Sequence, residues 1–226
     1  MKSKTSFFNK TVFKKNLTRF APVMAVYTLC LILGMMMLYQ INEEMGRTFW
    51  FASRIAGNLQ LMGLVNLLFA PLCAMLLFGD LYNSRMCNAL HAMPVTRDGY
   101  YGAHLVAGLL FALVPNCLVL LPTSLLLPRQ VASVSLLALL ALSLQYIFYL
   151  GTALTAVQLA GNRVGMVLIY GILNFATVLL YWFVAMVFTP LIYGKDISIS
   201  WIARICPTVA MYEGTYFAPV DHSYYI

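Results

Sequence analysis

The stretch Gly99–Pro128, GYYGAHLVAGLLFALVPNCLVLLPTSLLLP, decides the fold. It runs for 30 residues between Asp98 and Arg129 without one Asp, Glu, Lys or Arg. A helix rises about 1.5 Å per residue and the hydrocarbon core of a bilayer is about 30 Å thick, so about 20 apolar residues suffice to cross it. Four further intervals share this character: Arg19–Glu43 encloses 23 uncharged residues, Arg54–Asp80 25, Arg129–Arg163 33 and Arg163–Lys195 31. A charged side chain at a helix centre costs about 2.5–3.5 kcal/mol on insertion scales, so the charges mark the ends of the crossings. The reading is an all-α, polytopic membrane helix bundle with about five spans, near 21–40, 57–79, 103–126, 132–156 and 164–190. Strands are excluded because an open sheet edge finds no partner in lipid.

The whole composition agrees. Of 226 residues, 62% are hydrophobic and 9% charged, whereas a soluble domain carries about 25% charged residues. Such a chain cannot cover a water-facing surface, which excludes a soluble enzyme and a disordered chain. Cys30, Cys73, Cys87, Cys117 and Cys206 are odd in number and form no CxxC or Cys/His ligand spacing, so neither a disulfide framework nor a zinc site is expected. The net charge of +7 is read as topology, with no nucleic-acid partner, because the basic residues are sparse and placed at span ends.

Lys2, Lys4, Lys10, Lys14, Lys15 and Arg19 precede the first span with no acid among them, so the N-terminus is expected in the cytoplasm. Five crossings then put 80–102 and 157–163 inside and 41–56, 127–131 and 191–226 outside. Residues 1–190 are thus expected to form the transmembrane domain of a multi-pass cell-membrane protein, and 191–226 an extracytoplasmic C-terminal segment.

Two polar stretches stand out. In the first, Phe13, Leu17 and Phe20 share one helical face, Lys10 and Lys14 form one polar row, and Lys15 and Arg19 a second. This predicts a basic amphipathic helix over 9–20 lying along the membrane surface. The plainer alternative is a solvated basic tail that only sets topology. The second is the loop 80–98, in which Tyr82, Met86, Ala89, Leu90 and Met93 recur at helical spacing before Pro94 stops the run. A short helix between two spans suits either a docking element for a cytoplasmic partner or a connector lying flat on the bilayer.

Within the spans, Asn66, Asn116, Gln145 and Asn174 must pair inside the bundle or with a neighbouring subunit, since lipid offers no partner. Their plain role is to hold helices together; the sharper one is to line a substrate path. Gly108 and Ala112, like Gly151 and Thr155, have the spacing that permits close helix contact. Most Tyr and Trp residues, Tyr146 among them, read as interfacial belts. No GxxxxGK[ST], HExxH or GxSxG motif occurs, His91, His104 and His222 are far apart, and no carboxylate lies in mid-span. ATP binding, hydrolase chemistry and proton-driven pumping therefore have no visible carrier in this chain, which is not expected to be an enzyme.

The run Phe78-Gly-Asp-Leu-Tyr-Asn-Ser-Arg-Met-Cys-Asn-Ala-Leu-His-Ala-Met-Pro-Val-Thr-Arg97 resembles the loop between spans two and three of bacterial permeases of type-2 ABC transporters. The opening Lys4–Phe20 and the run Gly161-Asn-Arg-Val-Gly-Met-Val167 resemble the same group, so the likeness covers most of 1–190. It implies a transmembrane permease subunit of an ATP-driven exporter in the bacterial inner membrane. The loop would hold a coupling helix, with Asn83, Arg85, Asn88, His91, Met93, Pro94 and Arg97 as contact surface for a separate cytoplasmic ABC ATPase. Lys10, Phe13, Lys14, Lys15, Leu17, Arg19 and Phe20 would form the connecting helix at the membrane interface, and Arg163 a further contact. No cofactor would bind directly, ATP and Mg being held by the ATPase, and a second permease subunit would complete a homo- or heterodimer. The departure is in span number: such permeases commonly have six or more, with both ends inside. That leaves a second reading open, a non-transporting multi-span protein acting as assembly partner, sensor or immunity factor.

Overall fold

The computed structural model describes residues 10–39, 47–83, 85, 86, 88, 97–126, 129–188, 206, 208 and 209. They form five long helices: α1 (Lys10–Tyr39), α2 (Arg47–Leu77), α3 (Arg97–Leu126), α4 (Arg129–Leu159) and α5 (Arg163–Phe188). A 3-10 turn, Gly79–Tyr82, follows α2. Among the described residues there is no strand. Four helices are long and apolar enough to cross a membrane, over Thr11–Gly34, Arg97–Pro122, Ser135–Leu159 and Arg163–Phe188. In α2 the described apolar stretch is the shorter Leu61–Leu77, within a helix of 31 residues. A multi-pass membrane protein of helical-bundle architecture accounts for these elements, because a helix satisfies its own backbone where no water can.

The helices alternate in direction. Phe20 meets Phe111 and Tyr27 meets Asn116, so α1 and α3 run parallel; Tyr27 also meets Asn66 and Tyr146 of the opposed α2 and α4. Thus α1, α3 and α5 begin, and α2 and α4 finish, at one end of the bundle, here called the basal end. The core lies among α1–α4, with α5 packed on α4 and touching α2 only marginally.

The first helix differs from expectation. Instead of a flat interfacial helix over 9–20 followed by a span, the backbone is one helix, Lys10–Tyr39, that runs on through Pro22. The reason is a continuous inward stripe. Phe13, Asn16, Leu17, Phe20, Val23, Met24, Tyr27 and Leu31 follow one another at helical spacing and pack into the bundle. The apolar face read as lipid-seeking is the lower part of the core stripe. Lys14, Lys15 and Arg19 stay exposed on its outer side, and the Arg19 guanidinium lies 5.3 Å above the Phe20 ring.

Short polar caps make the basal connection between α4 and α5. Ala160 N–H donates to Ala156 O at 3.0 Å and closes α4. Asn162 then accepts from Gly165 N–H through its side-chain oxygen and from Met166 N–H through its carbonyl, the pattern of an N-cap that starts α5. Three residues, Ala160–Asn162, therefore suffice to reverse the chain.

The described part of the C-terminal segment returns to the bundle. Cys206 is fully buried, and its thiol and the Thr208 hydroxyl donate to the backbone carbonyl of Asn174 at 3.0 and 3.1 Å. Asn174 lies about 16 Å along α5 from its start, so these residues sit beside mid-helix. The remainder of 191–226 lies outside the described residues.

Candidate functional site

Two sites take shape, one at the basal end and one at the bundle centre. The basal site starts where α2 ends. Phe78 N–H bonds to Ala74 O, Leu81 N–H to Phe78 O and Asn83 N–H to Asp80 O, winding the chain into a tight turn. Asn83 leaves that turn in an extended conformation (φ −111°, ψ 111°), and its side-chain oxygen accepts from Arg85 N–H at 3.1 Å. This is the geometry of an N-cap. Arg85, Met86 and Asn88 behind it are helical and exposed. The short helix read from the sequence thus starts after Asn83, and Tyr82 belongs to the turn before it.

The turn is clamped on both sides. Tyr82 donates its hydroxyl to Val157 O near the end of α4 at 3.3 Å. Partial burial pushes the Tyr82 phenol above its ordinary pKa, which keeps the donor proton in place. Phe78 is buried against Tyr101 and His104 of α3, with ring centroids 5.5 and 5.2 Å apart. His104 is itself a packed residue: its Nδ1 lies 2.8 Å from Tyr100 O and its ring stacks on Tyr100 at 4.0 Å. Gln158 donates to the Tyr101 hydroxyl at 3.2 Å, joining α4 to α3. Tyr82, Asn83, Asn162, Arg163 and Val164 line an open cleft of about 490 Å³ between the turn and the start of α5.

The central site is a closed polar node. Tyr27 Oη lies 2.7 Å from Asn66 Oδ1 and 3.1 Å from the Asn116 carboxamide, while Asn66 Nδ2 reaches Leu142 O at 3.2 Å and Gln145 Oε1 at 3.4 Å. A hydroxyl carries a single hydrogen. Tyr27 therefore donates to Asn66, and the Asn116 carboxamide turns its nitrogen to donate to Tyr27. In that orientation the amide nitrogen gains a partner, and the buried carboxamide oxygen is left without one among the described residues. Gly63 makes room for Gln145: a Cβ there would stand 2.7 Å from Gln145 Nε2. Beside the node, Tyr146 donates to Gly108 O at 2.9 Å, and a Cβ on Gly108 would meet Leu77 Cδ1 at 3.0 Å.

Of the polar residues singled out in the spans, Asn66, Asn116 and Gln145 come together, and Asn174 stands apart. Asn174 Nδ2 donates to Tyr170 O at 2.9 Å and to Thr152 Oγ1 at 3.4 Å. Tyr170 in turn donates to Leu67 O at 2.8 Å and ties α5 to α2. Of the basal contact residues, Asn83 caps, Arg85 and Asn88 are exposed, and Arg97 opens α3 exposed; His91, Met93 and Pro94 lie outside the described residues. Of the interface set, Phe13, Leu17 and Phe20 pack inward. Lys10 is helical, its side chain lying outside the described residues.

Sequence reasoning missed Tyr27, Tyr146 and Gly63. Tyr146 was expected in an interfacial belt and is fully buried at the bundle centre, because its hydroxyl finds the carbonyl that Gly108 leaves uncovered. A tyrosine midway along a charge-free run is the signal that could have found Tyr146; Tyr27 lies a third of the way along its run and carries a weaker one. The two small-residue motifs also part company: Gly108 and Ala112 are buried, whereas Gly151 and Thr155 are exposed, with nothing within 4 Å of a Cβ on Gly151. Among the described residues no group of His, Cys, Asp or Glu could hold a metal ion. Compared with known proteins, the chain matches no family model, no curated protein and no solved structure.

Proposed function

We propose that this chain is the transmembrane permease subunit of an ATP-driven ABC exporter, driven through the segment 80–98 by a separate ATPase that holds the ATP and Mg. The observation that carries the reading is the clamped turn. A capped, exposed helical segment stands at one end of an apolar bundle, and the residues just before it are fixed to α4 through Tyr82 and to α3 through Phe78. A push on Arg85, Met86 and Asn88 is thereby transmitted to two long helices and not absorbed by a loose loop. The cytoplasm is the side on which the basal end lies in this reading, consistent with the basic residues of α1.

The central node bears on the path of the substrate. Asn66 bonds to Tyr27 and Gln145, and Asn116 to Tyr27, so these polar groups are engaged inside the bundle and do not line an open path among the described residues. Transport would run between this subunit and a second permease subunit, as a homo- or heterodimer alternating between two states. The test is capture of the ATPase encoded by a neighbouring reading frame. Arg85→Glu and Arg97→Glu are expected to weaken that capture while membrane insertion stays normal. Full capture by both variants overturns the reading.

A second reading draws on α5, where Trp182, Phe183 and Met186 are 71%, 68% and 77% exposed. A non-transporting assembly partner, sensor or immunity factor would hold another membrane protein through that face. In that case no ATPase co-purifies, and polar substitutions on α5 release the partner.

A further inference from the structure

We propose that the basal cleft binds the phosphate of an anionic phospholipid, with Arg163 as its charge partner. The argument rests on which polar atoms of the lining are already engaged. Asn83 turns its side-chain oxygen to cap Arg85, and Asn162 turns its own to cap Gly165, which leaves the amide N–H groups of both without a partner. Tyr82 spends its proton on Val157 O. The side-chain groups of the lining that have no partner are thus two carboxamide nitrogens and a guanidinium, and among the described residues the lining contains no carboxylate. The Arg163 guanidinium extends toward the turn: a Cβ on Gly79 would lie 3.9 Å from its Nη2. Asp80 of the same turn is not part of the lining.

Amide donors beside a positive charge favour a ligand that carries several acceptor oxygens and a negative charge, and a phosphate fits that description. The position selects the source. The cleft opens at the end of five long helices, where headgroups lie if the helices cross a bilayer. Val164 in its lining is an exposed apolar side chain, as are Leu81, Leu159 and Leu168 in the turn and the two helix ends nearby in sequence. A free anion would leave them bare, whereas a lipid covers them with its acyl chains while its phosphate meets Arg163. Juxtamembrane cations draw anionic lipid in general; a cleft that adds amide donors to the arginine would hold one molecule.

The experiment is native mass spectrometry of the full chain released from detergent micelles, titrated with phosphatidylglycerol or with phosphatidylcholine of equal chain length. Wild type is expected to retain one phosphatidylglycerol, and to hold phosphatidylcholine more weakly. Arg163→Gln should lower the phosphatidylglycerol affinity about tenfold, since it removes a charge-assisted contact. Arg163→Lys should recover part of it. Arg129→Gln, the same loss of charge at the opposite end, should leave it unchanged. Arg163 is exposed, so the variant is expected to fold, which circular dichroism checks. Unchanged phosphatidylglycerol binding by Arg163→Gln overturns the proposal, as does equal binding of phosphatidylcholine. Displacement of the lipid by equimolar inorganic phosphate would also overturn it, by making the site one for free anions. The outcome is independent of whether an ATPase is captured.

Discussion

The bundle holds two buried polar nodes, and they are built to different standards. At the centre, Tyr27, Asn66, Asn116 and Gln145 come from four different helices and are linked by bonds of 2.7–3.4 Å, with one carboxamide atom of Asn116 left without a partner among the described residues. At the edge, Asn174 reaches Thr152 at a long 3.4 Å and its remaining good bond, to Tyr170 O, stays within its own helix. The Asn174 side-chain oxygen is buried with no partner among the described residues, and so is the Thr177 hydroxyl. Turning the Asn174 carboxamide over would not help, because Tyr170 O can only accept. The contrast shows which part of the molecule is self-sufficient. The polar groups at the centre of α1–α4 are largely spent on one another, although Asn16 Nδ2 of α1 is buried without a partner among the described residues. Helix α5, by contrast, packs on α4 and is tied in further by Tyr170 and by the returning residues near 206.

The sharpest way to break that contrast is Asn66→Leu. It removes the acceptor of Tyr27 and the donor to Leu142 O and Gln145 in an apolar interior, and is expected to cost about 2–3 kcal/mol. Equilibrium unfolding in mixed micelles would read it; a loss no greater than that of an exposed Leu→Ala control would show that the node is not what closes the unit. Next comes Gly63→Ala. The new methyl would press on Gln145 Nε2, which cannot swing away without giving up its contact with Asn66, so a loss of about 1–2 kcal/mol is expected.

These two residues also mark where sequence stops being informative. Asn66 is visible at once, since a carboxamide in a long apolar run must find a partner somewhere. That it finds Tyr27, 39 positions away, is not visible, because a tyrosine in a span reads equally as an interfacial anchor. Gly63 carries no signal of its own, for close approach is a property of two helices together. The charge-free intervals were legible because charge is excluded from lipid by several kcal/mol, but that energy bounds the apolar crossing and not the helix, so α2 starts at Arg47, ten residues before the expected 57. The join at Arg19–Phe20 was not legible. An amphipathic face seeks any apolar surface, and in Phe13, Leu17 and Phe20 that surface is the bundle.

A smaller effect is expected at the edge. Asn174→Leu forfeits the long bond to Thr152 but also deletes a buried oxygen that has no partner, so the two changes nearly offset and the net loss should be below about 1 kcal/mol. A loss equal to that of Asn66→Leu would mean that α5 is as firmly built in as the other four helices. Either result sharpens the comparison, because both residues are fully buried asparagines and differ only in what they touch.

The smallest effect separates the two glycines whose spacing looks alike. Gly108→Ala presses on Leu77 at 3.0 Å, next to the carbonyl that Tyr146 uses, and should cost about 1 kcal/mol. Gly151→Ala meets nothing within 4 Å and should change the stability of the isolated chain by about 0.5 kcal/mol or less, in either direction. The informative experiment puts Gly151→Ala into the bilayer. If the loss stays absent in detergent but appears in lipid, and grows with protein concentration, the exposed face of α4 is where a second copy packs. If it is absent in both, that face meets only lipid, and a small residue every fourth position is no more than composition. The same spacing therefore carries opposite meanings on two neighbouring helices, and only the burial of Gly108 against Leu77 distinguishes them.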